Sequence, residues 1–268
     1  MENKIWNEDC LKGMLRIRDN SIDMILFDLP YGRTKNTWDE LIDLEKLWIQ
    51  YDRIIKENGA IILTAQTPFD KVLGASNIDN LRYEWIWEKT AATGHLNAKK
   101  MPLKAHENIL VFYKKLPIYN PQKTVGHTAV HSYTKKQTDG SNYGRTKAGI
   151  TGGGSTERYP RSVLTFKSDK QKSSLHPTQK PVALFEYLIK TYTNEGGLVL
   201  DNCMGSGTTA IACLNTNRKY IGFETDVGHY ESSLSRIANH CCMLKEEQIE
   251  AYEKQEELKA VILKKELN

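Results

Sequence analysis

Several features that would place the chain in a membrane or outside the cell are missing from the sequence. No apolar run among its 268 residues approaches the ~20 residues needed to span a bilayer. The first residues lack the charged-then-apolar order of a signal peptide. The five cysteines are odd in number and include no C-x-x-C pair, which argues against a disulfide framework or a structural zinc site. We therefore expect a cytoplasmic protein with reduced thiols.

The sequence also lacks the motifs that usually bind a pyrophosphate or a metal. It contains no Gly-Lys-Ser/Thr, which excludes a P-loop, and no G-x-G-x-x-G. His127 and His131 stand at helical spacing, but no neighbouring Cys or acidic residue completes a ligand set. We therefore interpret both as surface histidines and expect no metal.

The net charge of +4 is distributed unevenly along the chain. Residues 89–180 contain 17 Lys and Arg against four Asp and Glu, whereas the rest of the chain contains 20 basic and 29 acidic residues. A solvated lysine-rich loop would give the same count. Aromatic residues interleave with the basic ones, however, and this combination neutralises phosphates and stacks on bases. The residues concerned are Lys99, Lys100, Tyr119, Lys123, Tyr133, Lys135, Lys136, Tyr143, Arg145, Arg158, Tyr159 and Arg161.

Short apolar segments alternate with amphipathic segments along most of the chain. The apolar segments predict buried strands at 22–28, 60–64, 83–87, 108–113, 198–201 and 220–224. Helices are predicted at 41–57, where Asn58-Gly59 marks the end, and at 182–189, 208–215 and 244–267. Strands that alternate with helices predict an α/β fold with a doubly wound, Rossmann-like, mostly parallel sheet.

A glycine-containing loop joins one predicted strand to the next helix. It begins at Asp201 and contains Cys203, Gly205 and Gly207 before Thr208 opens the helix. Glycines allow backbone to approach a ligand at the carboxyl end of a strand. Glu224 ends the following strand, where an acidic side chain can accept the hydroxyls of a ribose. Without a pyrophosphate motif, these residues suit S-adenosylmethionine better than NAD or ATP.

A second candidate site follows the predicted strand that ends at Asp28. The exocyclic amine of a base is a poor nucleophile, because its lone pair is delocalised into the ring. A carboxylate and a backbone carbonyl can each accept one N–H of that amine and hold it in line with a methyl donor. Asp28 and the carbonyl of Leu29 supply these acceptors, Pro30 restricts Leu29 to extended geometry, and Tyr31 offers a ring on which a base can stack.

Three motifs together resemble the β-group amino-methyltransferases of DNA. They are Asp28-Leu29-Pro30-Tyr31, the segment 176–181 (His-Pro-Thr-Gln-Lys-Pro) and the glycine loop, in that order. The resemblance covers about 9–224 and implies a permuted methyltransferase fold with an inserted, irregular DNA-recognition region. It divides the chain into a catalytic half at 1–115, a target-recognition region at 116–172, a cofactor-binding half at 173–243 and a C-terminal surface helix at 244–268.

The resemblance also implies roles for single residues. Asp28, Leu29, Pro30 and Tyr31 correspond to the family's catalytic Asp-Pro-Pro-Tyr, with Leu29 where the family usually has proline. The segment 104–110 resembles the strand that faces the substrate pocket. Cofactor binding is implied for Asp9, Cys10, Thr178, Gln179, Lys180, Asp201, Cys203, Gly205, Gly207, Thr208 and Glu224.

The implied activity is site-specific methylation of adenine N6 in double-stranded DNA, with S-adenosylmethionine as the methyl donor. Cytosine N4 offers the same kind of amine and is the nearest alternative. A non-catalytic DNA-binding relative and an RNA or protein amine methyltransferase are further alternatives. Carbon-5 methylation of cytosine needs a thiolate nucleophile, which is usually presented after a proline. No cysteine in this sequence follows a proline, so this reaction is disfavoured. A homodimer and a cognate restriction endonuclease acting on the same site are partners that the family admits.

Overall fold

The computed structural model describes residues 2–29, 42–136, 148–168 and 180–266, with side chains up to residue 246. The chain divides into two compact units. The larger comprises Met1–Tyr119 and Val163–Asn268, and the smaller comprises Asn120–Ser162. The predicted recognition region 116–172 is thus wider at both ends than the smaller unit.

The larger unit is built on an eight-stranded sheet. The described residues form these strands: β1 (Lys4–Asn7), β2 (Ile22–Asp28), β3 (Ile55–Ala65), β4 (Leu81–Thr93), β5 (Lys104–Phe112), β6 (Tyr133–Thr134), β7 (Thr151–Gly152), β8 (Val163–Phe166), β9 (Leu198–Asp201) and β10 (Lys219–Glu224). The sheet order is β1-β10-β9-β2-β3-β5-β4-β8, and only β5 pairs antiparallel with its neighbours. The mostly parallel sheet predicted from the sequence is confirmed.

Helices cover both faces of this sheet. They are α1 (Cys10–Met14), α2 (Leu44–Ile54), α3 (Phe69–Ala75), α4 (Val182–Tyr192), α5 (Thr208–Asn215) and α6 (Val227–Glu266). Along β2, Met24 and Leu26 pack in one buried cluster with α4 and α5, whereas Ile25 and Phe27 pack in a second cluster with α1, α2 and α3. Successive side chains of a strand point to opposite faces, so β2 is apolar throughout and the fold is doubly wound. Across the described helices, none has the length and apolarity that a membrane crossing requires.

Several predicted boundaries differ from the structure, as for the strand predicted at 83–87, which spans Leu81–Thr93, and two of the differences have a clear physical cause. Helix α2 ends at Ile54, and Gly59 lies inside β3, where the register with β2 shifts. A Cβ on Gly59 would lie 2.9 Å from the carbonyl oxygen of Asp23, so the glycine permits a close approach of two strands. Helix α6 begins at Val227 and not near residue 244. The side chain of Asp226 accepts the backbone N–H of His229 at 2.8 Å, which caps that start.

The sheet places several strand ends at one edge. Strands β1, β10, β9, β2 and β3 run in the same direction, so their carboxyl ends meet there. Because β5 runs in the opposite direction, its first half lies at the same edge, with Asn108 opposite Ala65 of β3. In open α/β sheets, ligands bind outside the carboxyl ends of the strands.

Candidate active site

Asp28 is the last residue of β2, and two neighbours fix its carboxylate. The hydroxyl of Thr64, its register partner on β3, donates to Oδ1 at 2.5 Å. The Nζ of Lys180, just before α4, lies 2.7 Å from Oδ2. The carboxylate is thus held by two partners, and the Asp28 side chain is still 22% exposed.

Lys180 also bridges to a second carboxylate that lies deeper in the protein. Its Nζ is 2.9 Å from Oε2 of Glu107 on β5, and the Nζ of Lys89 on β4 is 2.5 Å from Oε1. Gln66 donates an N–H to the same Oε1 at 2.9 Å. Burial alone would raise the pKa of Glu107, but Lys180 and Lys89 together hold that pKa below its ordinary value. Two ammonium groups and two carboxylates therefore form one connected network.

Sequence reasoning identified two of these residues and missed the others. Asp28 is predicted as catalytic and Lys180 as cofactor-binding, and the structure pairs Lys180 with Asp28 and Glu107. Glu107, Lys89 and Thr64 were not assigned any role. The segment 104–110 only resembles a strand opposite the substrate pocket, and the acidic residue just before the apolar run 109–112 is the signal that could have found Glu107.

The side chain of Leu29, the residue after Asp28, is buried. It is 2% exposed and belongs to the cluster that packs β2 against α1, α2 and α3. The sequence interpretation used only its backbone carbonyl, and the structure adds an anchor in the core. The predicted site residues Pro30, Tyr31, Thr178 and Gln179 lie outside the described residues.

Asp201, at the end of β9, organises the predicted cofactor loop. Its Oδ1 accepts the backbone N–H of Cys203 at 3.0 Å, and its Oδ2 accepts the hydroxyl of Thr209. Gly205 and Gly207 have φ values of +52° and +79°, a left-handed conformation that glycine adopts without strain. A Cβ on Gly207 would also lie 3.3 Å from side-chain atoms of α6. The loop is thus fixed from inside by one buried carboxylate.

Glu224, at the end of β10, ties this loop to the neighbouring strand. Its Oε2 accepts the N–H of Gly205 at 2.8 Å, and its Oε1 accepts the N–H of Asp226 at 2.9 Å. A carboxylate oxygen has two lone pairs, so each oxygen can accept one further donor such as a ribose hydroxyl. The side chain is 8% exposed and lies at the carboxyl edge of the sheet.

The remaining predicted cofactor residues make contacts within the protein. The Asp9 side chain caps α1 by accepting the N–H of Lys12 at 3.0 Å. The Cys10 thiol accepts from Asn202 at 3.4 Å, and a hydrogen bond from Cys203 lowers the pKa of that thiol against the effect of burial.

Thr208 faces α6 instead of the loop carboxylates. Its hydroxyl lies 3.2 Å from Nη1 of Arg236 on that helix. The neighbouring Thr209, which the sequence reasoning did not assign, is the residue that contacts Asp201.

The buried position of Asp201 has a consequence for stability. Burial raises its pKa from 3.8 to about 7, and the nearby Glu224 and Asp28 carboxylates add to the effect. Between these two values the folded chain binds more protons at this site than the unfolded chain. The stabilisation is therefore present at low pH and is lost as the pH rises through about 7.

We expect the free energy of unfolding of Asp201→Asn to vary less with pH than that of the parent. Relative to the variant, the parent should lose up to about 1.4 kcal/mol of unfolding free energy per pH unit between about pH 5 and 7. Urea unfolding of the cofactor-free protein at several pH values measures the difference. The exposed Asp79→Asn serves as the control. Parallel curves for parent and Asp201→Asn would show that Asp201 is ionised across the range.

The smaller unit carries basic and aromatic side chains on its surface. A bridge between Thr124 and Arg158 and the β6–β7 pair connect its backbone. Lys135 and Arg161 are exposed, and Tyr159 is 69% exposed. Exposed cations beside exposed rings are suited to a nucleic-acid backbone and its bases. Within the described residues, no group of three His, Cys, Asp or Glu side chains could hold a metal ion.

Comparison with known proteins identifies the family of this chain. The model of the N6/N4 DNA methylase family matches residues 22–235. The DNA adenine methyltransferase YhdJ of Escherichia coli K12 is 28% identical over 259 residues, which cover 88% of this chain and 83% of YhdJ.

Two solved structures share the fold. The M1.HpyAVI–SAM complex has a TM-score of 0.60 at 22% identity and covers 87% of this chain and 98% of its own. The cytosine-N4-specific PvuII DNA methyltransferase has a TM-score of 0.60 at 15% identity and covers 88% and 90%. With the family model spanning both the Asp28 site and the glycine loop, this chain belongs to the N6/N4 DNA methylases, amino-methyltransferases that use S-adenosylmethionine.

Proposed function

We propose that the chain methylates the N6 amine of adenine at a specific site in double-stranded DNA, by direct transfer to a base turned out of the duplex. The observation that carries this proposal is the position of Asp28. Its carboxylate is fixed by Thr64 and Lys180, remains accessible, and ends the strand next to the one that leads into the glycine loop.

The chemistry follows from what Asp28 can do to an amine. An ionised carboxylate accepts one N–H of the amine and draws the nitrogen lone pair away from the ring. As the N–C bond forms, positive charge develops on the nitrogen, and a fixed carboxylate nearby stabilises that charge without reorganisation. We assign the second N–H to the backbone carbonyl of Leu29, which the buried Leu29 side chain anchors.

The loop residues fit the cofactor. S-adenosylmethionine, when bound, supplies an electrophilic methyl group on a sulfonium. Gly205 leaves the backbone of the loop open to a ligand, because a Cβ there would have no neighbour closer than 3.9 Å, whereas Gly207 lets the loop pack against α6. We assign the ribose hydroxyls to Glu224 and the ordering of the loop to Asp201. The nearby carboxylates also suit a ligand that carries positive charge.

Adenine is proposed over cytosine for two reasons. Residue 28 is Asp, and in the β-group amino-methyltransferases an Asp at this position favours adenine over cytosine. YhdJ, the relative at 28% identity, is named a DNA adenine methyltransferase. Cytosine N4 remains the second candidate, since the PvuII enzyme shares the fold and is named for that specificity.

The test is a product analysis. The purified chain is incubated with unmethylated duplex DNA and isotopically labelled S-adenosylmethionine, and the DNA is then digested to nucleosides. We expect label in N6-methyladenine. Label in N4-methylcytosine would replace the proposal with the second candidate. DNA binding without any labelled nucleoside would indicate a non-catalytic relative, and label in RNA alone would move the substrate to RNA. Single-molecule sequencing of the product then gives the recognition site.

A further inference from the structure

The contacts of Glu107 go beyond those of a residue that only stabilises the core. It is 4% exposed, yet each of its carboxylate oxygens faces an ammonium group, Lys89 on one side and Lys180 on the other. A buried carboxylate with two ammonium groups, one of them shared with Asp28, is expensive to desolvate. Such a group is found where its charge acts on a neighbouring site.

The charges in this network balance. Asp28 and Glu107 contribute two negative charges, and Lys89 and Lys180 contribute two positive charges. The Nζ of Lys180 contacts both carboxylates, at 2.7 Å from Oδ2 of Asp28 and 2.9 Å from Oε2 of Glu107. Without Glu107, Lys180 would lose one of these two carboxylates, and more of its charge would act on Asp28. A carboxylate fully paired with an ammonium offers little net charge to a developing cation on a substrate nitrogen.

We infer that Glu107 is a positioning residue for methyl transfer: it holds Lys180 between two carboxylates, so that Asp28 is oriented by Lys180 without being neutralised by it. The inference rests on the proposed role of Asp28 in amine methylation. Glu107 itself contacts Lys89, Lys180 and Gln66, and it acts on the reaction through Lys180.

The first test is Glu107→Gln, which keeps the shape of the side chain and removes its charge. At saturating DNA and S-adenosylmethionine, we expect the single-turnover rate of methyl transfer to fall at least tenfold. Calorimetric binding of S-adenosylmethionine reports whether the variant is folded. Glu84→Gln is the matched control, because Glu84 is an exposed Glu on the neighbouring strand β4, and it should retain the parent rate.

The double variant Lys89→Met/Glu107→Gln separates positioning from charge balance. It removes one buried cation with the buried anion, so its melting temperature should recover relative to Glu107→Gln. Its rate should nevertheless stay at least tenfold below the parent, because Lys180 still lacks its second carboxylate. A role in structure alone predicts that the rate recovers together with the melting temperature.

The outcomes distinguish this inference from the proposed function. If the parent methylates DNA and either Glu107 variant matches its rate, the positioning role is wrong and the proposed function stands. If the parent methylates no DNA, the proposed function fails and the inference fails with it. A tenfold loss in both variants, with Glu84→Gln at the parent rate, supports the inference.

Discussion

Replacing Asp28 with Asn is expected to lower the single-turnover rate of methyl transfer by at least about a hundredfold, the typical effect of losing one preorganised electrostatic group. Asn has the shape of Asp and keeps an oxygen acceptor, so the fold and the contact with Thr64 can persist. It lacks the negative charge that stabilises the positive charge developing on the attacked amine. Affinity for S-adenosylmethionine should stay within about threefold, because Asp28 is assigned to the base and not to the cofactor.

The measurement combines rapid-quench methyl transfer with calorimetry on one preparation. Asp52→Asn is a suitable control, since that carboxylate is 45% exposed and pairs with Lys114 on the surface. If Asp28→Asn retained more than about a tenth of the rate, corresponding to a loss below about 1.4 kcal/mol, the negative charge of Asp28 would not drive the methyl-transfer step. A large loss of cofactor affinity with an unchanged rate would place Asp28 in the cofactor site instead.

The parts of the site that the sequence predicts share one physical property. Asp28, Asp201 and Glu224 each end a short apolar run, and each is the last residue of a parallel strand. A buried parallel strand is apolar throughout, so an acidic residue at its end is visible in the sequence. Because such strands end at one edge of the sheet, their acidic ends can be placed together before the structure is known.

Glu107 could not be placed in this way. It lies in the first half of β5, just before the apolar run 109–112, which for a parallel strand would put it at the opposite edge from Asp28. It reaches the site because β5 is antiparallel to β3. Strand direction depends on the connection between strands and on pairing across the sheet, and neither is encoded in the local pattern. The partner Lys89 lies on β4, whose direction is equally hidden.

The two boundary errors have a similar origin. The Asn58-Gly59 pair is a common end for a helix, but here tertiary packing decides its role, because Gly59 meets the backbone of β2. The start of α6 was missed because its first turns are only partly apolar. Its buried Ser233 and Ile237 pack near the glycine loop, and these contacts exist only after folding.

The prediction with the largest expected effect concerns salt. If the basic surface of the smaller unit binds DNA, binding releases counterions, and log affinity should fall linearly with log salt. We expect a loss of about a thousandfold between about 50 and 200 mM salt, as for proteins that neutralise about six phosphates. Fluorescence anisotropy with a labelled duplex across this range measures the slope. A flat plot would show that the surface does not contact phosphates.

Two double variants, each lacking two positive charges, test whether this surface produces the slope of log affinity against log salt. Lys135→Gln/Arg161→Gln removes two exposed cations of the smaller unit, and Arg18→Gln/Lys245→Gln removes one Lys and one Arg exposed on the larger unit. Each phosphate contact contributes about 0.9 to the slope, so the first pair should reduce it by nearly two and the second should leave it unchanged. Phosphate contacts are independent of sequence, so the first pair should weaken cognate and non-cognate duplexes equally. A loss confined to the cognate duplex would instead mean that Lys135 or Arg161 contacts base edges, and the smaller unit would then read sequence as well as charge.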